Sequence, residues 1–295
     1  MKKIVFFTET KWAFGQIHNS LCRRLFSHGI NAEVLDFFTQ YSATEMRDID
    51  RHTDLFVTTP VGVGWLLNYG ISPGKIVSIA HAQWDILLAN SQIGTGIYQQ
   101  LAGYGVVSNI LKQKSEEFGV PVVPTVLQMG IEFDRYYQPP SLHLDVIGFA
   151  GAFESRNFAG EEIKRGRLVK EIASQTNSEF RTPACHYLAM SGFYGQVDCV
   201  FQASTEEGAG LPMMEAAAAG RLCLGTDVGY FSEHHSVGIH LPTSEQGFVN
   251  VGAGFVRFFR DNPVLYQQEC YNLQDYAREN YDWSKHIEGW VSFLS

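Results

Sequence analysis

The sequence is short of positive charge. Its 22 lysines and arginines stand against 31 aspartates and glutamates, a formal net charge of −9. Non-specific affinity for nucleic acid comes from clustered Lys and Arg, so this balance argues against a protein that lives on phosphate backbones, while leaving room for one basic pocket. Cysteines are few and scattered. Cys22, Cys185, Cys199, Cys223 and Cys270 include no C-x-x-C pair, which gives neither a disulfide framework nor a zinc site and points to free thiols in a reducing compartment. Long hydrophobic runs are missing as well. The opening MKKIVFFTETKW has two lysines, but its apolar stretch stops at Thr8 and Glu9, too soon for the apolar region of a signal peptide. No run approaches the ~18 apolar residues of a membrane span. The expectation from these absences is a soluble, cytoplasmic protein without a transmembrane segment.

What is present suffices for a core. The chain has 295 residues, of which 45 % are hydrophobic and 18 % charged, enough for two ordinary domains. Ile4 to Phe7 is a short apolar run, and 17-IHNSLCRRLFSHG-29 sets Ile17, Leu21, Leu25 and Phe26 at helical spacing before Gly29. Further strands are predicted at 32-AEVLDF-37, 55-LFVTT-59, 76-IVSIAH-81 and 105-GVVS-108. Short apolar strands alternating with helices indicate a doubly wound parallel sheet. The stretch 121-PVVPTVLQMGIEFDRYYQPP-140 has no sustained period and reads as a linker. The same grammar restarts at 145-DVIGFAG-151, with a helix at 167–175, a strand at 197-VDCVFQA-203, a helix near 211–219 and a strand at 221-RLCLGT-226. Between 175 and 197 the chain looks too short for a further strand–helix unit.

The densest chemical signal is 204-STEEGAGLPMMEAAAAG-220. It reads as a strand end, a glycine turn and a helix start. Gly208 and Gly210 leave the backbone free to bend or to approach a ligand, Leu211-Pro212 opens the helix, and the exposed amides of such a start form an anion site suited to a diphosphate. Glu207 and Glu215 flank this turn, and carboxylates accept paired hydrogen bonds from the vicinal hydroxyls of a sugar or ribose.

The run E-G-A-G-L-P-M-M-E-A resembles the E-x7-E segment of retaining GT-B glycosyltransferases, in particular glycosyltransferase family 4. Looser similarity extends to 105-GVVSNILKQKSEEFGV-120, to 127-LQMGIEFDRYYQP-139, where Met129 replaces an Asn, and to the C-terminal 281-YDWSKHIEGWVSFL-294. The resemblance implies two Rossmann-like domains facing across a cleft: 1–140 on the acceptor side, 141–280 on the donor side, and a helix at 281–295 crossing back to the first domain. It implies transfer of a sugar, with retention, from a UDP-, GDP- or ADP-sugar donor to an acceptor hydroxyl, with no cofactor and no metal. Glu207 would contact the donor sugar, Glu215 the ribose, and Gly208, Ala209, Gly210 and Leu211 the diphosphate. The family usually has an aromatic where this chain has Ala209. The acceptor stays open among glycan, lipid-linked compound, small molecule and modified DNA, the last disfavoured by the charge.

Other positions carry two readings each. Gly15 is either an ordinary loop glycine or the glycine that lets donor and acceptor come close. His81, in 79-IAHAQWD-85, is either a structural strand-end histidine or the family's histidine near the donor sugar; the resemblance favours the latter, and nearby Asp85 is a weaker candidate. The family's basic phosphate clamp is ambiguous here, because its first slot reads Ala152. Arg156 or the run Lys164-Arg165-Gly166 could supply it, and Arg156 with Lys164 is the favoured pair. Glu233, in 227-DVGYFSEH-234, resembles a family turn that touches the donor. His234 and His235 are adjacent and read as surface loop, and Asp48-Ile49-Asp50 formally matches D-x-D but reads as a solvated helix face. The competing functions are a GT-B-fold nucleotide-sugar epimerase or hydrolase and a non-catalytic nucleotide-sugar-binding protein.

Overall fold

In a computed structural model the chain is described except at residues 11–12, 158–159, 184–188 and 234–237, with 13–14 described in backbone only. The expectations for Cys185, His234 and His235 therefore lie outside the described residues. The chain divides into two compact units, Met1–Met129 with His286–Ser295, and Gly130–Lys285.

The first unit alternates β1 (Lys2–Thr8), α1 (Ala13–Ser27), β2 (Ile30–Asp36), α2 (Ala43–Arg51), β3 (Leu55–Thr58), α3 (Pro60–Asn68), β4 (Ile76–Ala80), α4 (Gln83–Ile93), β5 (Gly103–Val106), α5 (Asn109–Glu117) and β6 (Thr125–Val126). The six strands form one parallel sheet in the order β2-β1-β3-β4-β5-β6. Every residue of β4 is buried, as a strand covered on both faces requires. On one side Val5, Phe7, Phe56 and Ile76 pack with Met46, Val63 and Leu66 from the helices. Helix starts are set locally. Ser42 and Glu45 make a reciprocal capping box on α2, Thr59 caps α3 ahead of Pro60, and Ser108 caps α5. Asp48 and Asp50 on α2 pair with Arg51 and Lys75, the solvated-face arrangement read from the sequence. The C-terminal helix α12 (Ile287–Leu294) belongs to this unit: Trp290 Nε1 donates to Gln128 O at 2.9 Å, and Lys2 Nζ to Ser295 O at 2.7 Å.

The second unit runs α6 (Phe133–Tyr136), β7 (Val146–Gly148), α7 (Gly166–Gln175), β8 (Glu179–Arg181), α8 (Met190–Tyr194), β9 (Cys199–Gln202), α9 (Leu211–Ala218), β10 (Leu222–Gly225), β11 (Ile239–His240), α10 (Glu245–Asp261) and α11 (Pro263–Asn280). Its sheet is parallel, in the order β11-β10-β9-β7-β8. One expectation is overturned. The segment between α7 and β9 does hold a strand–helix unit, because three residues of β8 suffice to pair with β7 at the sheet's edge and α8 needs only five. The linker also contains structure, β6 and α6, both too short to show a period.

Both sheets are doubly wound. Chain order reverses direction between β1 and β3 in the first and between β7 and β9 in the second, and ligands of such sheets sit beyond the carboxyl ends of the strands at these switch points. In the second unit the two segments that leave the switch point are the turn after Gly148 and the glycine turn after Gln202.

Trp283 returns to the start of the second unit, its N–H donating to Ile131 O at 3.2 Å. A methyl group on Gly130 would stand 2.6 Å from the Trp283 Cα. Gly130→Ala is expected to destabilise the protein by about 1–3 kcal/mol through overpacking against backbone, read as a lower urea midpoint; an unchanged midpoint would refute that packing.

Candidate functional site

The site in the second unit begins with backbone. After Gln202 the chain turns through Ser204 to Gly208, and Gly210 adopts φ 81° and ψ 44° as the residue preceding α9. That left-handed conformation suits glycine, and no side chain caps the helix start. The 227–233 segment braces the turn from its other side. Tyr230 N donates to Ala209 O at 2.8 Å, and a methyl group on Gly229 would stand 2.7 Å from the same oxygen. The small residue at 209 is thus enclosed, its carbonyl accepting the hydrogen bond from the bracing segment.

The two glutamates have different environments. Glu207, with its side chain 13 % exposed, pairs with the Lys164 ammonium and accepts from Ser204 Oγ at 2.7 Å. Glu215 is 2 % exposed. Tyr136 Oη donates to its Oε1 at 2.9 Å, and Tyr194 Oη to its Oε2 at 2.7 Å. Glu207 is the more accessible of the two, while Glu215 is enclosed by phenols from α6 and α8. Neighbouring Glu206 is half-buried, and burial raises its carboxyl above the usual range, with Lys164 pulling the other way and Glu207 adding to the rise.

The basic candidates separate. Lys164 comes to Glu207. Arg156 is exposed on a hairpin excursion, where its Nη1 donates to Gly160 O at 2.6 Å. Arg165, buried at the start of α7 with φ 47°, sends Nε to Ala203 O at 2.5 Å and Nη1 to Thr243 O at 2.7 Å. Glu233 ends the bracing 229–233 turn and is half-buried.

In the first unit Gly15 lies in α1. A methyl group there would stand 2.5 Å from Glu9 O and from the Thr10 Cα, so the close passage of its own chain is enough to require glycine. His81 follows β4, is buried, and meets His18 edge to face at 5.2 Å between ring centroids. Neither ring nitrogen of His18 has a hydrogen-bond partner. Burial brings His81 down to about 4 and, with the His81 charge as a lesser cause, holds His18 well below the usual imidazole range. Both rings are therefore neutral near pH 7. Asp85, also buried, is pushed up to about 7 by desolvation despite hydrogen bonds from the His81 backbone, the Thr59 side chain and the Val61 backbone.

Sequence reasoning missed Ser204, Tyr136 and Tyr194. Ser204 had a readable place, three residues before Glu207 at a strand end. The tyrosines lie 79 and 21 residues from Glu215, and nothing in their spacing pairs them with it.

With this geometry in view, the class of fold is plain: it is the GT-B fold of glycosyltransferase structures. By sequence the chain matches no protein family and no curated protein. By structure it matches Anabaena HepE, solved in complex with UDP and glucose, at TM-score 0.70 and 14 % identity over 100 % of this chain and 99 % of that one. It matches sucrose-phosphate synthase of Thermosynechococcus elongatus at 0.71 and 11 %, covering 99 % and 98 %. A glycosyltransferase from Rickettsia africae matches at 0.71 and 13 %, with the same coverage.

Two tests follow from these environments. Tyr194→Phe removes one of the two phenols from a buried carboxylate and is expected to cost about 1–3 kcal/mol, measured by urea denaturation; a loss below ~0.5 kcal/mol would show that the phenol is dispensable. The second concerns acid. The unfolded chain binds protons at His18 and His81 below about pH 6.5, whereas the folded chain keeps both neutral. Their contribution is therefore complete above that pH and is lost as pH falls toward 4. Asp85 works in the opposite direction between about 4 and 7, since the folded chain holds its proton longer. His18→Phe should flatten the acid limb of a stability profile by up to about 1.4 kcal/mol per pH unit, one proton's worth; an unaltered slope would contradict the buried neutral imidazole.

Proposed function

We propose that this protein is a glycosyltransferase that moves a sugar from a nucleoside-diphosphate sugar to an acceptor hydroxyl with retention of configuration. The observation that carries the reading is the pairing of an accessible Glu207 with an uncapped helix start one glycine turn away, in a fold shared with sugar-nucleotide enzymes. HepE holds UDP and glucose, which makes UDP-glucose the first donor to try, ahead of GDP- and ADP-sugars.

In this reading the diphosphate lies on the amides of Gly208, Ala209, Gly210 and Leu211, where the helix dipole and unsatisfied N–H groups favour negative charge. Glu207 accepts from hydroxyls of the donor sugar, and Lys164, already beside it, turns toward the phosphates as charge develops there. Arg156 is the second cation, brought in by its hairpin. Glu215, kept rigid by Tyr136 and Tyr194, is the carboxylate on the ribose side. Gly15 allows acceptor and donor to approach. His81 acts as a neutral hydrogen-bonding group, since it carries no charge near neutral pH.

The reacting step forms a bond from the acceptor oxygen to the anomeric carbon and breaks the bond from that carbon to the phosphate oxygen. The acceptor's proton passes to the departing phosphate on the same face, so no protein base is needed. Neutralisation by Lys164, Arg156 and backbone amides leaves no step that calls for a metal or cofactor. We place the reaction in the cytoplasm. Cys22, Cys199, Cys223 and Cys270 are buried free thiols, a state that a reducing compartment preserves. Among the described residues no helix is long and apolar enough to cross a membrane.

Glu207→Gln keeps the size of the side chain and removes its charge. Transfer from the donor identified by a thermal-shift panel of UDP-, GDP- and ADP-sugars should fall about 100-fold or more with the fold retained. Wild-type turnover by this variant would refute the assignment, and release of free sugar or an epimer from donor alone would turn it toward the hydrolase or epimerase.

A further inference from the structure

The last residue of β9 carries a side chain that the site above leaves unused. Gln202 is 5 % exposed, and neither its carboxamide oxygen nor its nitrogen has a hydrogen-bond partner. Its main-chain carbonyl is satisfied, accepting from Thr226 N at 3.0 Å. The rest of β9 is Cys199, Val200 and Phe201, all buried, so an apolar residue would suit this position. A buried carboxamide without partners is costly, and that cost calls for a compensating role.

Its location suggests the role. A methyl group built on Gly210 would stand 3.0 Å from Gln202 Oε1 and 3.4 Å from Nε2. The carboxamide therefore lies against the residue from which α9 starts, and that start has no side-chain cap. An unmet donor and an uncapped helix of eight residues stand side by side. One oxyanion resting there would accept from the Leu211 N–H, since Pro212 has none and Met213 N donates to Gly210 O, and from the Gln202 N–H together. Neighbouring cations are largely engaged: Lys164 pairs with Glu207, and Arg165 donates to the carbonyls of Ala203 and Thr243, only its buried Nη2 lacking a partner. A neutral donor adds a hydrogen bond to phosphate without drawing on that short supply.

We propose that Gln202 is a diphosphate-binding residue: its carboxamide donates to a phosphate oxygen of the bound nucleoside diphosphate at the start of α9. The inference rests on the donor-site reading given under Proposed function. It has a consequence that a purely structural role lacks. Without ligand the carboxamide is a liability, and with ligand it is a contact. Replacing it with an apolar side chain of similar size must then separate stability from affinity.

The experiment compares wild type, Gln202→Leu and Gln202→Met by calorimetric titration with UDP and with uridine, together with ligand-free melting temperatures. Both variants are expected to bind UDP at least ten-fold more weakly, to bind uridine as wild type does, and to melt no lower than wild type. UDP affinity within two-fold of wild type overturns the proposal. A lowered melting temperature accompanying the lost affinity, or equal loss of uridine, overturns it too, because either marks general damage to β9. If GDP or ADP is the nucleotide that wild type binds, the same comparison is made with it and its nucleoside. Failure of wild type to bind any of the three overturns the donor reading and this role together, whereas binding that the variants leave unchanged overturns the role of Gln202 alone.

Discussion

The carboxylate of Glu215, buried in the middle of α9, is the constraint from which the rest of the second unit's site follows. A carboxylate taken out of water without partners costs several kcal/mol, about 3–5 when a buried pair is broken. Here each oxygen accepts from a phenol, one on α6 and one on α8. Those helices have four and five residues, too few to persist by their own propensity. Their tyrosines are fully buried against each other, ring centroids 5.9 Å apart, so the carboxylate and the aromatic packing stabilise one arrangement. With α9 fixed, its start is fixed, and so are the glycine turn, the Ala209 carbonyl held by Tyr230, and Glu207 at the turn's head.

Legibility in the sequence followed the range of the interactions. Strands of the parallel sheets announced themselves, because burial on both faces demands continuous apolar runs such as 76-IVSIAH-81. Helix α1 did likewise, through the helical spacing of Ile17, Leu21, Leu25 and Phe26. Elements β8, α6 and α8 did not, since they are stabilised by neighbours distant in sequence and show no period of their own. In the site, the glycine turn and its flanking glutamates were legible because their geometry is local. The Tyr136 and Tyr194 contacts were not, because a phenol that meets a carboxylate across a fold leaves no spacing to read. Gln202 lies between these cases: a polar residue closing an apolar strand is visible in 197-VDCVFQA-203, and only its lack of partners gives it meaning.

The shortage of positive charge, visible in composition alone, takes a definite form in the structure. Of the basic residues around the glycine turn, Arg165 has turned inward to join Ala203 and Thr243 carbonyls, where burial lowers its affinity for a proton. Lys164 is held by Glu207. An incoming diphosphate would therefore compete with a carboxylate for this lysine instead of meeting a free cluster of cations. Such a competition has a use if Glu207 receives something in exchange. Sugar hydroxyls can take the acceptor sites that the ammonium leaves, so sugar and phosphate together would dismantle the ion pair at lower cost than phosphate alone. In the proposed reading each half of the donor would relieve the desolvation created by the other and so couple recognition of sugar to recognition of diphosphate. Backbone amides and the Gln202 carboxamide would, in the same reading, supplement that arrangement without adding charge, which suits a chain with a net charge of −9.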